Sequence, residues 1–203
     1  MLDTFDPLHP APALAAVPVN ALLTHFATAL PWVTSRFGLV QTGVDKNNQE
    51  RYPQIYRQDG KKEVADVRPD DRDAARLWFE YDGPDLIDFS DILAGAGTYR
   101  FQLALVGWCH LAKIDPLRTY DFTDMLAADV LRAMLSCPGF EGRIIPERIE
   151  RQAERVFERY RWEPAKHQLI FGGKFGAFRI PFEAVVEDTS LKCVAPFTPM
   201  GGW

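Results

Sequence analysis

Hydrophobic and polar residues alternate along two long stretches of the chain. Thr98–Lys113 alternates apolar side chains with Arg100 and Gln102, and Phe178–Val186 shows the same two-residue period. Successive side chains of a β-strand point to opposite faces of its sheet, so this period indicates strands with one buried face. The sequence therefore predicts a sheet built on two long strands.

The first of these strands is long for a small domain. Its sixteen residues, at roughly 3.3 Å each, would extend about 53 Å, which is more than a small core covers. We therefore predict that the Trp108–Lys113 end projects towards a neighbouring molecule.

Shorter periodic segments surround the two long strands. Apolar residues at helical spacing predict helices, and Pro and Gly mark where elements end. Pro181 cannot donate a ladder hydrogen bond, so the second long strand is expected to be an edge strand or to carry a bulge. The predicted helices are Asn20–Leu30, with Asn20 as its N-cap, a helix capped by Thr123 that ends at Cys137, and Pro146–Tyr160; the further strands are Tyr52–Arg57, Leu77–Tyr81 and Lys166–Phe171.

This order of elements predicts an α+β fold: a mainly antiparallel sheet with about three helices packed on one face, and extended N- and C-terminal arms. Residues 1–18 are rich in Pro and Ala and are assigned to the first arm. Residues 19–193 form the single predicted domain, and residues 194–203 form the second arm. A length of 203 residues, with 47% hydrophobic and 25% charged residues, fits one soluble globular domain.

The acidity of the chain is concentrated in residues 59–91. This predicted insertion has eleven acids and five bases, a balance of −6 against −5 for the whole chain. Such a segment can steer partners or repel DNA, or it can be a solvated loop. The negative net charge of −5 argues against a dedicated nucleic-acid binder, which needs a basic stripe on its surface. The arginines of Pro146–Arg161 are nearly balanced by glutamates, so a solvated or subunit-facing helix is favoured over RNA binding.

No segment of the sequence suggests targeting to a membrane. The N-terminus has early acids and prolines instead of a basic start followed by an apolar core. No apolar run approaches the ~20 residues that span a bilayer. We therefore expect a cytosolic compartment and no membrane partner.

Residues with catalytic or metal-binding chemistry are scattered. Cys109 and His110 are strand neighbours and point to opposite faces, so they cannot act together as nucleophile and base. The three cysteines fit neither a disulfide framework nor a metal site, and the four histidines show no ligand spacing. We expect no catalytic, cofactor-binding or metal-binding residue. Asp82, Asp85, Asp88 and Asp91 recur every third residue and keep open a metal-dependent hydrolase or nuclease.

The element order is similar to that of the tail-terminator or tail-completion proteins of long-tailed phages. It runs from an N-terminal helix through two short strands, a long strand and two helices to a closing pair of strands that ends in FRIPFEAVVED, and it covers Val19–Asp188. The resemblance implies helices on one face of a sheet and a ring, typically a hexamer, where the tail tube meets the neck. It implies a non-enzymatic virion protein of the tail or neck, without cofactors, assembled in the host cytoplasm.

The partners that this resemblance implies are other copies of the chain, the tail tube and neck or head-completion proteins, with DNA passing through a lumen without specific binding. The acidic insertion and the two arms depart from the compact members. They leave open another neck or tail-tube-associated structural role.

A ring subunit needs sheet edges and apolar arms that reach a neighbour. The predicted contact residues of the ring are Leu8, Leu14, Trp108, Phe197, Met200 and Trp203.

The remaining alternative to a virion protein is a small monomeric binding module, such as an adaptor or immunity protein.

Overall fold

The structure is a computed structural model that describes residues 15–44, 50–56, 64–83, 86–88, 97–138, 142–161 and 173–188. The predicted strand Lys166–Phe171 lies outside these residues, as do residues 1–14 of the first arm and the whole second arm.

The described residues form nine strands in two sheets. The strands are β1 Ser35–Leu39, β2 Gln41–Val44, β3 Arg51–Tyr56, β4 Val64–Asp66, β5 Ala75–Tyr81, β6 Leu86–Asp88, β7 Gly97–His110, β8 Gly142–Pro146 and β9 Phe175–Asp188. In the main sheet the order is β1-β5-β7-β9-β8, and β6 pairs with β7 beyond the end of β5. Its described pairings are antiparallel except the one between β1 and β5. The smaller sheet is antiparallel and has the order β2-β3-β4.

In the described part of the chain, four helices accompany the sheets. Two are long and amphipathic, and two are single turns. They are α1 Ala16–Ala29, α2 Leu111–Ile114, α3 Thr123–Leu135 and α4 Ala153–Val156.

The two long strands form the centre of the domain. β7 and β9 pair along their whole length, from Gly97 opposite Asp188 to His110 opposite Phe175. Gly107 lies opposite Phe178, and a Cβ atom at Gly107 would overlap the Phe178 ring. A glycine is therefore needed at this point of the strand, because the aromatic ring lies directly over the backbone.

The main sheet is covered on both faces. On one face, α1, α2 and α3 contribute side chains such as Leu22, Phe26, Leu111 and Val130 to a large core with the apolar residues of β5, β7 and β9. On the other face, the small sheet and α4 enclose a second core. The second core contains Ile55, Val67, Trp78, Val106, Trp108, Val156, Phe157, Tyr160 and Ala177. The domain thus has three layers.

The predicted fold class is confirmed. The chain is α+β, its sheet is mainly antiparallel, and three helices contribute to the core on one face. The strands predicted around Tyr52–Arg57 and Leu77–Tyr81 are β3 and β5.

The predicted projection of Trp108–Lys113 is wrong. β7 ends at His110, and the chain turns into α2, where the Leu111 N–H donates to the Lys174 carbonyl at 2.9 Å. Trp108 lies opposite Ala177 and is fully buried. The reason is that β9 is as long as β7, so the whole strand finds a partner within the protomer.

The helix predictions need three corrections. α1 begins at Ala16, inside the range assigned to the arm, and Ala15 and Pro18 are buried. Asn20 is therefore an interior residue of the helix and not its N-cap. Thr123 is the first residue of α3 and donates to the Asp121 carboxylate from its N–H at 2.8 Å and from its hydroxyl at 2.6 Å, so Asp121 holds the helix start.

The predicted helix Pro146–Tyr160 is also wrong. Its beginning is the end of β8, and helix is limited to Ala153–Val156. Glu150 and Arg179 exchange two backbone hydrogen bonds, which draw this segment along β9. Tertiary pairing thus overrides a helical spacing of apolar residues.

β9 is not an edge strand, because it lies between β7 and β8. The Pro181 carbonyl accepts the N–H of Glu147 at 2.9 Å, where the β8 ladder has ended at Pro146. Glu147 bonds to Pro181 and Glu150 lies opposite Arg179. Four residues of this segment, 147–150, therefore face three residues of β9, 179–181. The irregularity expected at Pro181 therefore lies in the facing segment, as in a β-bulge.

Candidate functional site

A cluster of charged side chains is enclosed on the second face of the main sheet. Glu80 of β5 and Arg179 of β9 are only 2% and 5% exposed. Both positions alternate with core residues of their strands, so the strand period directs them to the same face. Asp82, just beyond β5, Glu150 and Arg159 complete this buried ion cluster.

Arg179 is the central cation of the buried ion cluster. Its Nε lies 3.4 Å from Glu80 Oε2, its Nη1 lies 3.6 Å from Glu150 Oε2, and its Nη2 donates to Asp82. Arg159 approaches from the other side, with Nη2 2.5 Å from Asp82 Oδ1 and Nε 3.8 Å from Glu80 Oε2. Removing charges from water is costly, and these contacts offset part of that cost.

Tyr160 joins the buried ion cluster to the second core. Its hydroxyl donates to Glu80 Oε1 at 2.5 Å and accepts from Trp78 Nε1 at 3.3 Å. The Arg159 guanidinium also donates to the Tyr81 carbonyl at 2.8 Å. Segments around residues 80, 160 and 179 are thereby held in one arrangement.

Burial changes the proton affinity of these groups. It raises the pKa of Glu80, and the Tyr160 hydrogen bond and the two arginines oppose that change only in part. Burial and the neighbouring Glu80 charge raise the pKa of Tyr160 well above its usual range. Burial alone would lower the pKa of Arg179, but Asp82 and Glu80 raise it. A carboxyl group with a raised pKa beside two arginines is a common feature of functional sites and also of structural ion networks.

A cleft of about 450 Å³ opens beside this cluster. We call it the arginine cleft. Tyr160 is its buried wall, its rim carries the exposed Arg51, Glu158 and Arg161, and the half-buried Arg159 lies between the rim and the buried ion cluster. The lining residues are Val44, Arg51, Glu158, Arg159, Tyr160 and Arg161.

A second surface feature lies in the loop after α2 and the first turn of α3. Leu117, Tyr120 and Met125 are 90%, 61% and 49% exposed. Arg118 lies next to Met125, with Nη1 3.1 Å from its Sδ, and Tyr120 packs edge-on against Phe122 at a centroid distance of 6.5 Å. We call Leu117, Tyr120 and Met125 the apolar loop surface.

The predicted contact residues are not brought together by the described part of the chain. Trp108 is the only one of them that is described, and it contributes to the second core. As a contact residue it is a wrong choice, since its side chain is enclosed within the protomer. Leu8, Leu14, Phe197, Met200 and Trp203 lie outside the described residues.

The aspartates, the cysteine and the histidine discussed above for catalysis or metal binding have other contacts or lie outside the described part. Asp82 is engaged by Arg159 and Arg179, and the side chains of Asp85, Asp88 and Asp91 are outside the described part. Cys109 is fully buried, which raises the pKa of its thiol, and His110 lies 3.1 Å from Asp71. Among the described residues, no group of three or more His, Cys, Asp and Glu side chains could hold a metal ion.

Sequence reasoning missed the buried ion cluster. Arg179 and Glu80 have the right alternation, but they are polar residues that suggest a solvated face. The signal that could have found them is the presence of Trp78 and Val106 on that same face. Large apolar side chains on both faces of adjacent strands indicate a sheet covered on both sides.

No protein-family model matches the sequence, and comparison with curated proteins finds no match. The helices of the described residues include none that is long and apolar enough to cross a membrane.

Proposed function

We propose that this chain is a structural virion protein, a ring-forming tail terminator or tail-completion subunit that joins the tail tube to the neck. The observation that carries the proposal is the apolar loop surface. Exposed large apolar side chains that are close together in the chain, as Leu117, Tyr120 and Met125 are, are typical of protein–protein contact sites. The resemblance of the predicted element order to phage tail-terminator proteins also supports the proposal, and the α+β class of the fold is the class that this resemblance implies.

A ring needs two different surfaces on each subunit, since a rotation brings one face of a copy against another face of the next. The apolar loop surface is the first. We infer that the edge of β8 is the second, because within the described residues β8 pairs with β9 alone and Ile145 is 42% exposed. Unpaired strand edges are ready sites for contact with another chain.

In this proposal the protein has no catalytic activity. It binds other copies of itself, the tail tube and neck or head-completion proteins, and it surrounds DNA without reading its sequence. It functions in the virion after assembly in the host cytoplasm. Leu8, Leu14, Phe197, Met200 and Trp203 are proposed arm contacts. Another neck or tail-tube-associated structural role fits the same surfaces.

The first test is the oligomeric state. Light scattering after size-exclusion chromatography, over a series of protein concentrations, should give a single closed oligomer, and negative-stain images should show rings, with six subunits as the expected number. A monomer mass at every concentration would contradict the proposal and favour the monomeric binding module.

A paired variant tests which surface is used. Leu117→Ser combined with Tyr120→Ser should reduce the oligomer to monomers, since it removes apolar contact area from two exposed side chains. Leu135→Ser is the control, because Leu135 is 62% exposed at the end of α3 and is not part of the apolar loop surface. Unchanged rings in the paired variant would remove the observation on which the proposal rests.

The arms are tested by deletion. Because α1 begins at Ala16 and Ala15 is buried, the N-terminal deletion should stop at Leu14. Loss of residues 1–14 and 194–203 is expected to weaken the ring. If the same ring forms without them, the proposed arm contacts are wrong. The proposed contacts at the apolar loop surface and the β8 edge do not depend on this result.

A further inference from the structure

Two arginines stand side by side at the mouth of the arginine cleft. The Arg51 N–H donates to the Arg161 carbonyl and the Arg161 N–H donates to the Arg51 carbonyl, both at 2.9 Å. This exchange of two bonds defines a hydrogen-bonded antiparallel pair, in which the Cα atoms are about 5.5 Å apart and both side chains lie on the same face. The two guanidinium groups therefore extend from neighbouring positions.

These two side chains have no acidic partner among the described residues, and both residues are exposed. Like charges directly opposite each other on paired strands are destabilising. The other arginines near this region differ, because Arg159 is engaged by Asp82 and Arg68 by Glu50. A cationic pair at the rim of a cavity, without an acidic partner in the described part of the chain, is suited to bind an anionic group.

The cavity has room for such a group. Its volume of about 450 Å³ lies within the roughly 300–1,000 Å³ typical of small-molecule sites. Tyr160 closes one side, and its hydroxyl is already used by Glu80 and Trp78. Glu158 on the rim is the one carboxylate of the lining, so Arg51 and Arg161 leave an excess of positive charge.

We propose that the arginine cleft binds a phosphate group, held between the guanidinium groups of Arg51 and Arg161. A guanidinium presents a planar fork of N–H donors that matches two oxygens of a phosphate, and two forks from adjacent strands can engage one phosphate. The shared chemistry is the phosphate oxygen, carried either by a free phosphate compound or by the phosphodiester backbone of DNA. The site is independent of the ring, since all its residues belong to one protomer.

Two probes separate these sources: inorganic phosphate, titrated by calorimetry against chloride at equal ionic strength, and a short DNA duplex, titrated by fluorescence anisotropy. The variant is Arg51→Gln with Arg161→Gln in the full-length chain. Arg132→Gln with Arg143→Gln is the control, since it removes the same charge from exposed positions outside the cleft.

The wild type and the control are expected to bind phosphate saturably, and the cleft variant to bind at least about tenfold more weakly, a loss typical of removing charged hydrogen bonds. If DNA is the source, phosphate competes with it, and the logarithmic salt dependence of DNA binding loses about one unit per arginine. If DNA binding is absent or is the same in the cleft variant and the control, the source is a free phosphate compound.

Thermal unfolding gives a second readout that does not depend on the small heats of binding measured by calorimetry. Phosphate should raise the melting temperature of the wild type above that in matched chloride, and this increase should vanish in the cleft variant. Without phosphate the cleft variant should melt no lower than the wild type, because its like-charge pair has been removed. Equal loss of binding in the control and the cleft variant, or no saturable binding of either probe, would overturn the proposal.

Discussion

The two faces of the main sheet are built from the same strands but differ in chemistry. On the face covered by α1 and α3, β9 contributes Phe178, Ile180 and Phe182, all fully buried. On the opposite face it contributes Arg179, which is nearly as buried and is surrounded by carboxylates. Buried positions of one strand thus hold apolar side chains on one face and a paired charge on the other.

The difference concerns what each face does for the fold. Apolar burial is non-directional and supplies most of the stability. The buried ion cluster is directional, because each contact requires a particular atom at a particular distance, and removing one partner leaves an uncompensated charge. We infer that apolar burial, in the large core on one face and in the smaller second core on the other, stabilises the sheet. The buried ion cluster of the charged face fixes the segment around Tyr160 and thereby the wall of the arginine cleft.

The largest effect is expected on the apolar face. Phe182→Ala removes a fully buried ring that packs against Phe79 with a centroid distance of 6.2 Å. We expect a loss of about 4 kcal/mol in the free energy of unfolding, measured by urea denaturation. Leu135→Ala, at an exposed position of α3, is the control and should change it by less than about 0.5 kcal/mol. A similar loss in both variants would contradict the assignment of this face as the main source of stability.

On the charged face, Arg179→Met should cost somewhat less, about 3 kcal/mol near neutral pH, because it leaves Glu80 and Asp82 short of a cation. Burial raises the pKa of Glu80 in the folded state above its ordinary value of 4.5. Ionised Glu80 therefore destabilises the fold at pH values above its folded pKa, and protonation removes that cost as the pH falls towards 4.5. The loss in Arg179→Met should thus shrink with falling pH.

Urea titrations of Arg179→Met at several pH values measure this trend. Arg143→Met, at an exposed position of β8, is the matched control. Glu80→Gln added to Arg179→Met should restore part of the stability near neutral pH, since a neutral amide replaces the uncompensated carboxylate. A loss independent of pH and not reduced by Glu80→Gln would mean that Arg179 acts through packing alone.

The two faces also differ in how far the sequence predicts them. The alternation of Tyr99, Phe101, Leu103 and Leu105 is a local pattern, so the strand and its apolar face could be predicted from the sequence. α3 could be predicted in the same way, although the residue that holds its start could not. Elements whose side chains repeat with a regular period contain their own signal.

The charged face and the cleft could not be predicted in that way. The buried ion cluster joins residues around 80, 150–160 and 179, and Arg51 meets Arg161 across 110 positions of the chain. No local period relates such residues, and the pairing depends on β9 holding the Glu150 segment by backbone bonds. The same pairing explains why Pro146–Tyr160 is mostly extended despite its helical spacing.

The third prediction concerns the contact between β7 and β9 on which both faces depend. In Gly107→Ala the new methyl group would overlap the Phe178 ring, and the resulting displacement should cost about 2 kcal/mol. Gly173→Ala is the control, because a Cβ there would meet no atom within 4 Å. Urea denaturation of both variants checks the difference, and a neutral Gly107→Ala would show that the sheet accommodates the methyl group by moving the ring at little cost.

The smallest effect is expected at an ion pair away from both faces. Asp70 accepts from the Arg72 side chain, with Nε 3.0 Å from Oδ2, and from the Arg72 N–H at 2.9 Å, and these bonds lower its pKa from 3.8 to about 2 against the opposing effect of burial. A carboxylate with a lowered folded pKa stabilises the protein above its unfolded pKa, and this contribution is lost as the pH falls through the folded pKa. Asp70→Asn should therefore lower the melting temperature slightly at pH values above 3.8, and this effect should shrink as the pH falls through about 2. Glu154→Gln, an exposed acid of α4, serves as the control for the loss of one negative charge. A larger defect in Asp70→Asn than in Arg179→Met would reverse the ranking, because it would show that the half-buried Asp70 and its ion pairs stabilise this fold more than the buried ion cluster does.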